Sequence, residues 1–144
     1  MNEPRWESLD HISDLELFIR GQSEEELFAN AALAVVAQIV ELEDLQDVSE
    51  KTIEISSGTP EERFLDWLRE LLYLVYTEDF LVSRIESLRL SEKNGEYKAV
   101  ALVRGESIDP GRHRMLHEVK TVTYQEFLYG KEKDFWRARV VFDV

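Results

Sequence analysis

The sequence contains no cysteine, and this absence excludes several kinds of chemistry. A chain of 144 residues without cysteine has no disulfide, no thiolate metal site and no cysteine nucleophile. Any bound metal must therefore be held by oxygen atoms or by one of the three histidines. A lack of cysteine also fits an intracellular compartment.

Basic residues, glycine motifs and long apolar runs are scarce as well. Seventeen lysines and arginines stand against 30 acidic residues, and the net charge of −13 would repel a phosphate backbone, so we expect no autonomous nucleic-acid binding. The six glycines form neither a GxGxxG motif nor a P-loop, and no nucleophile motif is present. These absences argue against an enzyme with its own active site.

No apolar run is long enough to span a membrane, and residues 1–7 have neither the basic nor the apolar region of a signal peptide. We therefore expect a cytoplasmic protein without membrane contact. Hydrophobic residues make up 44% of the chain and aromatic residues 10%, which suffices for a core. With no internal repeat or linker, we predict a single domain over residues 1–144.

Two segments carry helix signals. Residues 23–26 read Ser-Glu-Glu-Glu, the form of a capping box, and apolar residues spaced three and four apart beyond it predict a helix over 24–40. Threonine, proline and glutamate at 59, 60 and 62 are typical of the start of a second helix. Its apolar stripe reaches Val75, and the helix should end at 77–79.

Six other segments alternate or are rich in β-branched and aromatic residues, which predicts strands. They are 14–20, 51–56, 80–90, 96–104, 118–129 and 134–142. Residues 93–96, Lys-Asn-Gly-Glu, predict a hairpin turn. Because the C-terminal half is a run of strands, the predicted fold class is α+β, with two helices packed on a largely antiparallel sheet of about six strands.

Carboxylates stand at two strand ends that could meet. Asp14 opens the first predicted strand and Asp143 ends the last, so antiparallel pairing would put the two side by side at one sheet edge. The Val144 carboxylate would add a third oxygen donor, and such a cluster suits Ca²⁺ or Mg²⁺ better than zinc. A plain alternative stays open, because Asp10 and Asp14 could instead accept hydrogen bonds from turn amides and His11 could be an ordinary hydrogen-bonded histidine.

Arg112, His113 and Arg114 form the densest basic stretch of this acidic chain. The stretch could meet an anionic partner or substrate, but a charged hairpin loop is usually just solvated. Lys120 lies in a predicted strand, where a lysine usually guards a sheet edge or pairs with an acid.

Four motifs in order resemble those of the archease family, across the chain from Trp6 to Val144. They are Leu9-Asp10-His11-Ile12-Ser13-Asp14 with Gly21 and Ser23-x-x-Glu26-Leu27-Phe28; Asp66-Trp67-Leu68-Arg69-Glu70-Leu71-Leu72-Tyr73; Gly105-Glu106 with Arg112-His113 and Glu118-Val119-Lys120-Thr121-Val122-Thr123-Tyr124; and Val140-Val141-Phe142-Asp143-Val144. The sequence departs from the family at Ile12-Ser13, where Thr-Ala is usual, and at Gln125, where histidine is usual. Gln125 cannot supply an imidazole at that position.

The resemblance implies an accessory factor rather than an enzyme. Its partner would be the GTP-dependent RNA ligase that joins cyclic-phosphate ends in tRNA splicing and RNA repair, and it would promote guanylylation and multiple turnover of that ligase. Two other functions compete with this expectation: a chaperone-like modulator of RNA-processing or RNA-modifying enzymes without metal chemistry, and a hydrolase that uses carboxylates around an ion.

The resemblance also implies a site. The metal-binding aspartates of the family map onto Asp14 and Asp143, with Asp10 and the Val144 carboxylate as further ligands, and its functional lysine maps onto Lys120. We expect Ca²⁺ as the bound ion, with Mg²⁺ or Mn²⁺ as alternatives. The other residues expected to act toward the partner are His11, Arg112 and His113.

Overall fold

The structure, a computed structural model, describes residues 3–10 and 14–144, apart from the side chains of residues 9 and 10. Helices α1 and α2 span Glu24–Ile39 and Pro60–Tyr76. A short 3₁₀ helix spans Leu42–Asp44. The strands are β1 Trp6–Asp10, β2 Asp14–Gly21, β3 Ser49–Ser57, β4 Phe80–Lys93, β5 Glu96–Ser107, β6 Thr121–Glu132 and β7 Phe135–Asp143.

Both helices begin where the capping residues predict. The Ser23 hydroxyl accepts a hydrogen bond from the Glu26 N–H at 3.1 Å, and the Glu26 carboxylate accepts one from the Gln22 N–H at 2.8 Å. The Thr59 hydroxyl accepts from the Glu62 N–H at 3.0 Å. These bonds satisfy backbone donors that have no partner within the helix, and they confirm both predicted helices.

The strands form two antiparallel sheets, in the orders β1-β2-β7-β6 and β3-β5-β4. The α+β class is confirmed, although the described residues hold seven strands in two sheets rather than one sheet of about six. The predicted hairpin turn is also confirmed, because Asn94 and Gly95 both have positive φ, at 55° and 77°. Such angles match the twist of the two strands that the turn joins.

Each helix contacts strands of both sheets. Phe28 of α1 packs edge to face on Phe64 of α2, with ring centroids 5.2 Å apart, and it also contacts Trp67. The Trp67 indole N–H donates to the Phe28 carbonyl oxygen at 2.8 Å, so the largest buried side chain has its polar atom satisfied. No helix in the described part of the chain is long and apolar enough to cross a membrane.

A buried arginine ties the helices to the sheets. Arg63 of α2, only 4% exposed, pairs with Glu24 of α1 at 3.0 Å and donates to the carbonyl oxygens of Ser91 and Lys98 in the second sheet. Glu24 also accepts from the Tyr129 hydroxyl of β6. Burial and the Glu24 charge raise the Tyr129 pKa, so the phenol keeps its proton.

The predicted strand over 118–129 is wrong at its start. Residues 108–120 form an irregular segment, and β6 begins at Thr121. Lys120 therefore directly precedes a strand rather than lying within one. The segment is held by contacts with other elements, and those contacts determine where Lys120 lies.

Candidate functional site

Asp14 and Asp143 lie directly opposite each other in the register of β2 and β7. The expected antiparallel neighbours are therefore confirmed. Opposed residues of antiparallel strands have Cα atoms about 4.5–5.5 Å apart and side chains on the same face. Because the next pair, Leu15 and Phe142, is buried in the core, the two carboxylates lie on the face of the sheet away from it.

Lys120 lies beside this pair. The Lys120 N–H donates to the Asp143 carbonyl oxygen at 2.8 Å, and Thr121 pairs with Asp143 in the next strand. The Lys120 side chain is exposed. Three strand ends thus bring Asp14, Asp143 and Lys120 together, and we call these three residues the carboxylate–lysine site.

The segment that leads to Lys120 crosses the C-terminal ends of both helices. The Leu116 N–H donates to the Ile39 carbonyl oxygen of α1 at 2.7 Å, and the Val119 N–H donates to the Tyr76 hydroxyl of α2 at 2.8 Å. Neither helix has a basic residue in its last turn. The negative ends of both helix dipoles therefore point toward this end of the molecule, and no cationic side chain in the last turn of either helix offsets them. This arrangement favours positive charge near the two helix ends.

Glu106 anchors the start of the same segment. Its carboxylate is 5% exposed and accepts from the Gln46 N–H at 2.6 Å, from the His113 ring at 3.0 Å and from the Arg112 guanidinium. The His113 Nδ1 accepts from the Asp109 N–H at 2.9 Å. These partners assign the hydrogen to Nε2, which donates to Glu106.

The expectation of a basic surface stretch is wrong at His113. Only 3% of His113 is exposed, because its ring is buried against Glu106. Arg112 pairs with the same carboxylate and donates to the Asp44 carbonyl oxygen at 2.9 Å. Two of the three basic residues thus hold the segment in place, and a role for Arg112 toward a partner stays a prediction.

The buried His113 ring should make the protein less stable in mild acid. Burial, with repulsion from Arg112, lowers the pKa of His113 below its ordinary value of 6.5. As the pH falls below about 6.5, His113 of the unfolded chain takes up a proton, whereas His113 of the folded chain stays neutral to lower pH. The free energy of unfolding therefore declines until the folded pKa is reached. Above about pH 6.5 the stabilising contribution of the neutral ring is fully present. We expect urea unfolding to show native protein losing more stability between pH 7.5 and 5.5 than the His113→Gln variant does.

The matched control is His117→Gln, since His117 is exposed. This variant should keep the decline of the native protein over the same pH interval. An equal decline in native protein and His113→Gln would contradict the assigned role of the buried ring.

Two of the predicted ligands are only partly described. The backbone of Asp10 pairs with Leu15, but the Asp10 side chain and the whole of His11 lie outside the described residues. Val144 follows Asp143 and is 39% exposed. Gln125 is exposed and lies in the irregular stretch of β6 between Thr123 and Leu128. The metal roles of Asp10 and Val144 and the role of His11 stay predictions.

The described donors fit a divalent ion in part. Among the side chains of residues 3–8 and 14–144, no three of the His, Asp and Glu residues come together as a metal-binding group. The carboxylate–lysine site contributes two carboxylates, which are hard oxygen ligands. Mg²⁺ is often bound by one or two carboxylates together with water and phosphate oxygens, whereas Ca²⁺ takes six to eight oxygens. The pair therefore fits an ion whose shell is completed by oxygen atoms from elsewhere.

A buried ion pair next to the site was not predicted from the sequence. Glu16 lies two residues beyond Asp14 on the same face of β2, yet it is only 3% exposed. Arg139 of β7 donates to it from Nε at 2.5 Å, and the guanidinium lies 5.3 Å from the Phe18 ring centroid. Arg139 also pairs with Glu126 at 3.3 Å. The available signals were the acids Asp14 and Glu16 at alternate positions of the first predicted strand and the arginine Arg139 in the last predicted strand.

Comparison with known proteins agrees with this architecture. Residues 6–144 match the family model described as the Archease protein family (MTH1598/TM1083). The archease of Methanosarcina mazei is 34% identical over 140 residues, which cover 97% of this chain and 96% of that protein. The archease of Pyrococcus furiosus is 30% identical over 141 residues, which cover 97% and 99%.

Two solved structures have the same fold. The solution structure of Methanobacterium thermoautotrophicum protein 1598 has a TM-score of 0.82 and 28% identity and covers 97% of this chain and 99% of its own. The crystal structure of a Thermotoga maritima archease, described as a possible chaperone, has a TM-score of 0.58 and 21% identity, with 100% and 98% covered. The latter likeness concerns the fold alone.

The fold defines a class of small α+β proteins in which two helices pack on two antiparallel sheets. The chain belongs to the archease family. The resemblance of its four motifs to that family is thereby confirmed.

Proposed function

We propose that this archease is an accessory factor of the GTP-dependent RNA ligase that joins cyclic-phosphate ends in tRNA splicing and RNA repair. It promotes guanylylation and multiple turnover of the ligase and has no active site of its own. Family membership supports an accessory role. The observation that carries the proposal is the meeting of Asp14, Asp143 and Lys120 at three adjoining strand ends.

The residues of the carboxylate–lysine site have distinct tasks in this proposal. A divalent ion, when bound, supplies positive charge that organises phosphate oxygens. Asp14 and Asp143 hold the ion from two neighbouring strands, where the sheet keeps their spacing fixed. Lys120 extends from the strand end beside them and binds a phosphate oxygen as a point charge. The uncompensated C-terminal ends of α1 and α2 favour positive charge on this side of the molecule.

The net charge suits a protein partner rather than RNA itself. At −13 the chain is repelled by a phosphate backbone but attracted to the positive face of an enzyme that binds RNA and nucleotides. Such attraction increases the rate of encounter and is weakened by salt. Stimulation of the ligase should therefore require a higher archease concentration as ionic strength rises.

Ligation of a cyclic-phosphate RNA with GTP under multiple-turnover conditions tests the proposal. We expect the ligase alone to stall after about one turnover and the ligase with native archease to continue, while archease alone joins no ends. Turnover by archease alone would identify an enzyme and overturn the accessory role. No change in ligase turnover at any archease concentration would overturn the choice of partner.

The second candidate is a chaperone-like modulator of RNA-processing or RNA-modifying enzymes without metal chemistry. The description of the Thermotoga maritima archease as a possible chaperone favours it. A chaperone-like modulator would protect heated ligase from aggregation but would not raise the turnover of unheated ligase. The first candidate predicts the reverse pattern, so light scattering and ligation measured on the same samples separate the two.

A further inference from the structure

Two tyrosines lie exposed on one face of α2, at its C-terminal end. Tyr73 is 47% exposed and Tyr76 is 41% exposed, and residues three apart on a helix are neighbours. The Tyr76 hydroxyl accepts from the Val119 N–H, one residue before Lys120. We call Tyr73 and Tyr76 the tyrosine surface. The hydrogen bond from Val119 connects it to Lys120 of the carboxylate–lysine site, the next residue along the chain.

Carboxylates border this surface. Burial, with the charge of nearby Glu118, raises the pKa of the Tyr76 phenol. Glu70 lies one turn before Tyr73, and burial together with the charges of Glu78 and Asp66 raises its pKa. Glu70 is thus repelled by neighbouring acids, although Lys51 pairs with Glu78 and Arg69 pairs with Asp66, and an added cation would relieve that repulsion.

The same helix face shows what a guanidinium does in such surroundings. Arg69 lies 5.6 Å from the centroid of the Tyr124 ring while it pairs with Asp66 at 2.7 Å. Arginine thereby stacks on a tyrosine and binds a carboxylate at the same time, and its flat, forked head suits this double contact better than the compact lysine ammonium does. Within the described residues, no arginine or lysine lies over the ring of Tyr73 or Tyr76.

We propose that the tyrosine surface docks a protein partner through arginine side chains that stack on Tyr73 and Tyr76 and pair with the carboxylates around them. This inference deepens the proposed function, since the partner would then be the RNA ligase. The acidic border excludes RNA as the occupant, because phosphates would meet like charges. Docking here brings the partner up against Lys120 and Asp143, so the surface would orient the carboxylate–lysine site toward the ligase.

A peptide probe tests the chemistry without the ligase. Binding of an alternating arginine–glycine peptide and of its lysine–glycine counterpart, equal in length and charge, is measured by calorimetry on the full chain. We expect native archease to prefer the arginine peptide by at least about threefold, because guanidinium stacking adds to charge pairing. The Tyr73→Ala variant should lose that preference, whereas Val48→Ala, which changes another exposed apolar residue, should keep it.

Stimulation of the ligase by the same variants is the second test of the docking surface. We expect Tyr73→Ala to need about tenfold more protein for half-maximal stimulation and to reach native turnover at saturation, as the loss of one interface anchor does. Unchanged half-maximal concentration for Tyr73→Ala would overturn the docking surface and leave the accessory role standing. If native archease fails to stimulate the ligase, the proposed function falls, and the peptide preference alone decides the inference. Equal binding of both peptides by native protein would overturn it.

Discussion

The Glu106→Ala variant is expected to unfold with a free energy about 1 to 3 kcal/mol lower than that of the native protein. The carboxylate has three partners at once, and its loss leaves the Gln46 N–H, the His113 ring and the Arg112 guanidinium without their acceptor. The His113 ring is buried, so its donor would incur the full desolvation cost, whereas Gln46 and Arg112 are exposed and can turn to water. Urea denaturation at neutral pH measures the change.

The control for this variant is Glu96→Ala on the same strand. The Glu96 side chain is 53% exposed and pairs with Lys98, so its removal should change stability by less than about 1 kcal/mol. If Glu106→Ala lowers the free energy of unfolding no more than Glu96→Ala does, the cluster around Glu106 does not anchor the fold. Glu106→Gln, which keeps one acceptor oxygen, should fall between the two.

The Glu106→Ala substitution should also impair the carboxylate–lysine site. Glu106 fixes the start of the segment over residues 108–120, the ends of α1 and α2 hold its middle, and Lys120 bonds to Asp143 at its end. With its first anchor gone, the segment gains freedom while its last bond remains. Stimulation of the ligase by Glu106→Ala should therefore decline even at temperatures where circular dichroism shows the variant folded.

Features set by local chemistry were predictable from the sequence. The helix starts follow from Ser23 and Thr59, whose hydroxyls cap the backbone within three residues. The meeting of Asp14 and Asp143 follows from the alternation of the first and last strands, once those strands are taken as antiparallel neighbours. Each of these features depends on residues close in sequence or on one assumption about pairing.

Features set by distant contacts were not predictable in this way. Strand β1 has no clear alternation and exists because it pairs with β2 along its whole length. The burial of His113 depends on Glu106, and that of Glu16 depends on Arg139 from the far end of the chain. Arg63 is a charged residue in the first turn of a helix, and only the packing of both sheets places it inside. Polar residues of this kind follow ordinary surface patterns in the sequence.

The largest functional effect is expected from the carboxylate pair. Asp14→Asn and Asp143→Asn preserve size and keep one acceptor oxygen, but they remove the charge that would hold a divalent ion. Because both residues act as one unit in the proposal, each change alone should remove nearly all stimulation, and the double variant should be no worse than either. Thermal unfolding monitors whether the fold is retained.

Asp134→Asn is the matched control, since Asp134 is an exposed aspartate in the turn between β6 and β7, at the opposite end of β7 from Asp143. It should stimulate the ligase as the native protein does. Comparison of Asp143→Asn with Asp134→Asn distinguishes the loss of charge at the site from the loss of charge at the other end of β7.

The most direct measurement is therefore multiple-turnover ligation by the partner ligase with GTP, comparing native archease with Asp14→Asn, Asp143→Asn, the double variant and Asp134→Asn. The predicted result is continued turnover with the native protein and Asp134→Asn, and a stall near one turnover with the other three. Full stimulation by folded Asp143→Asn would contradict the account and favour a chaperone-like action without metal chemistry.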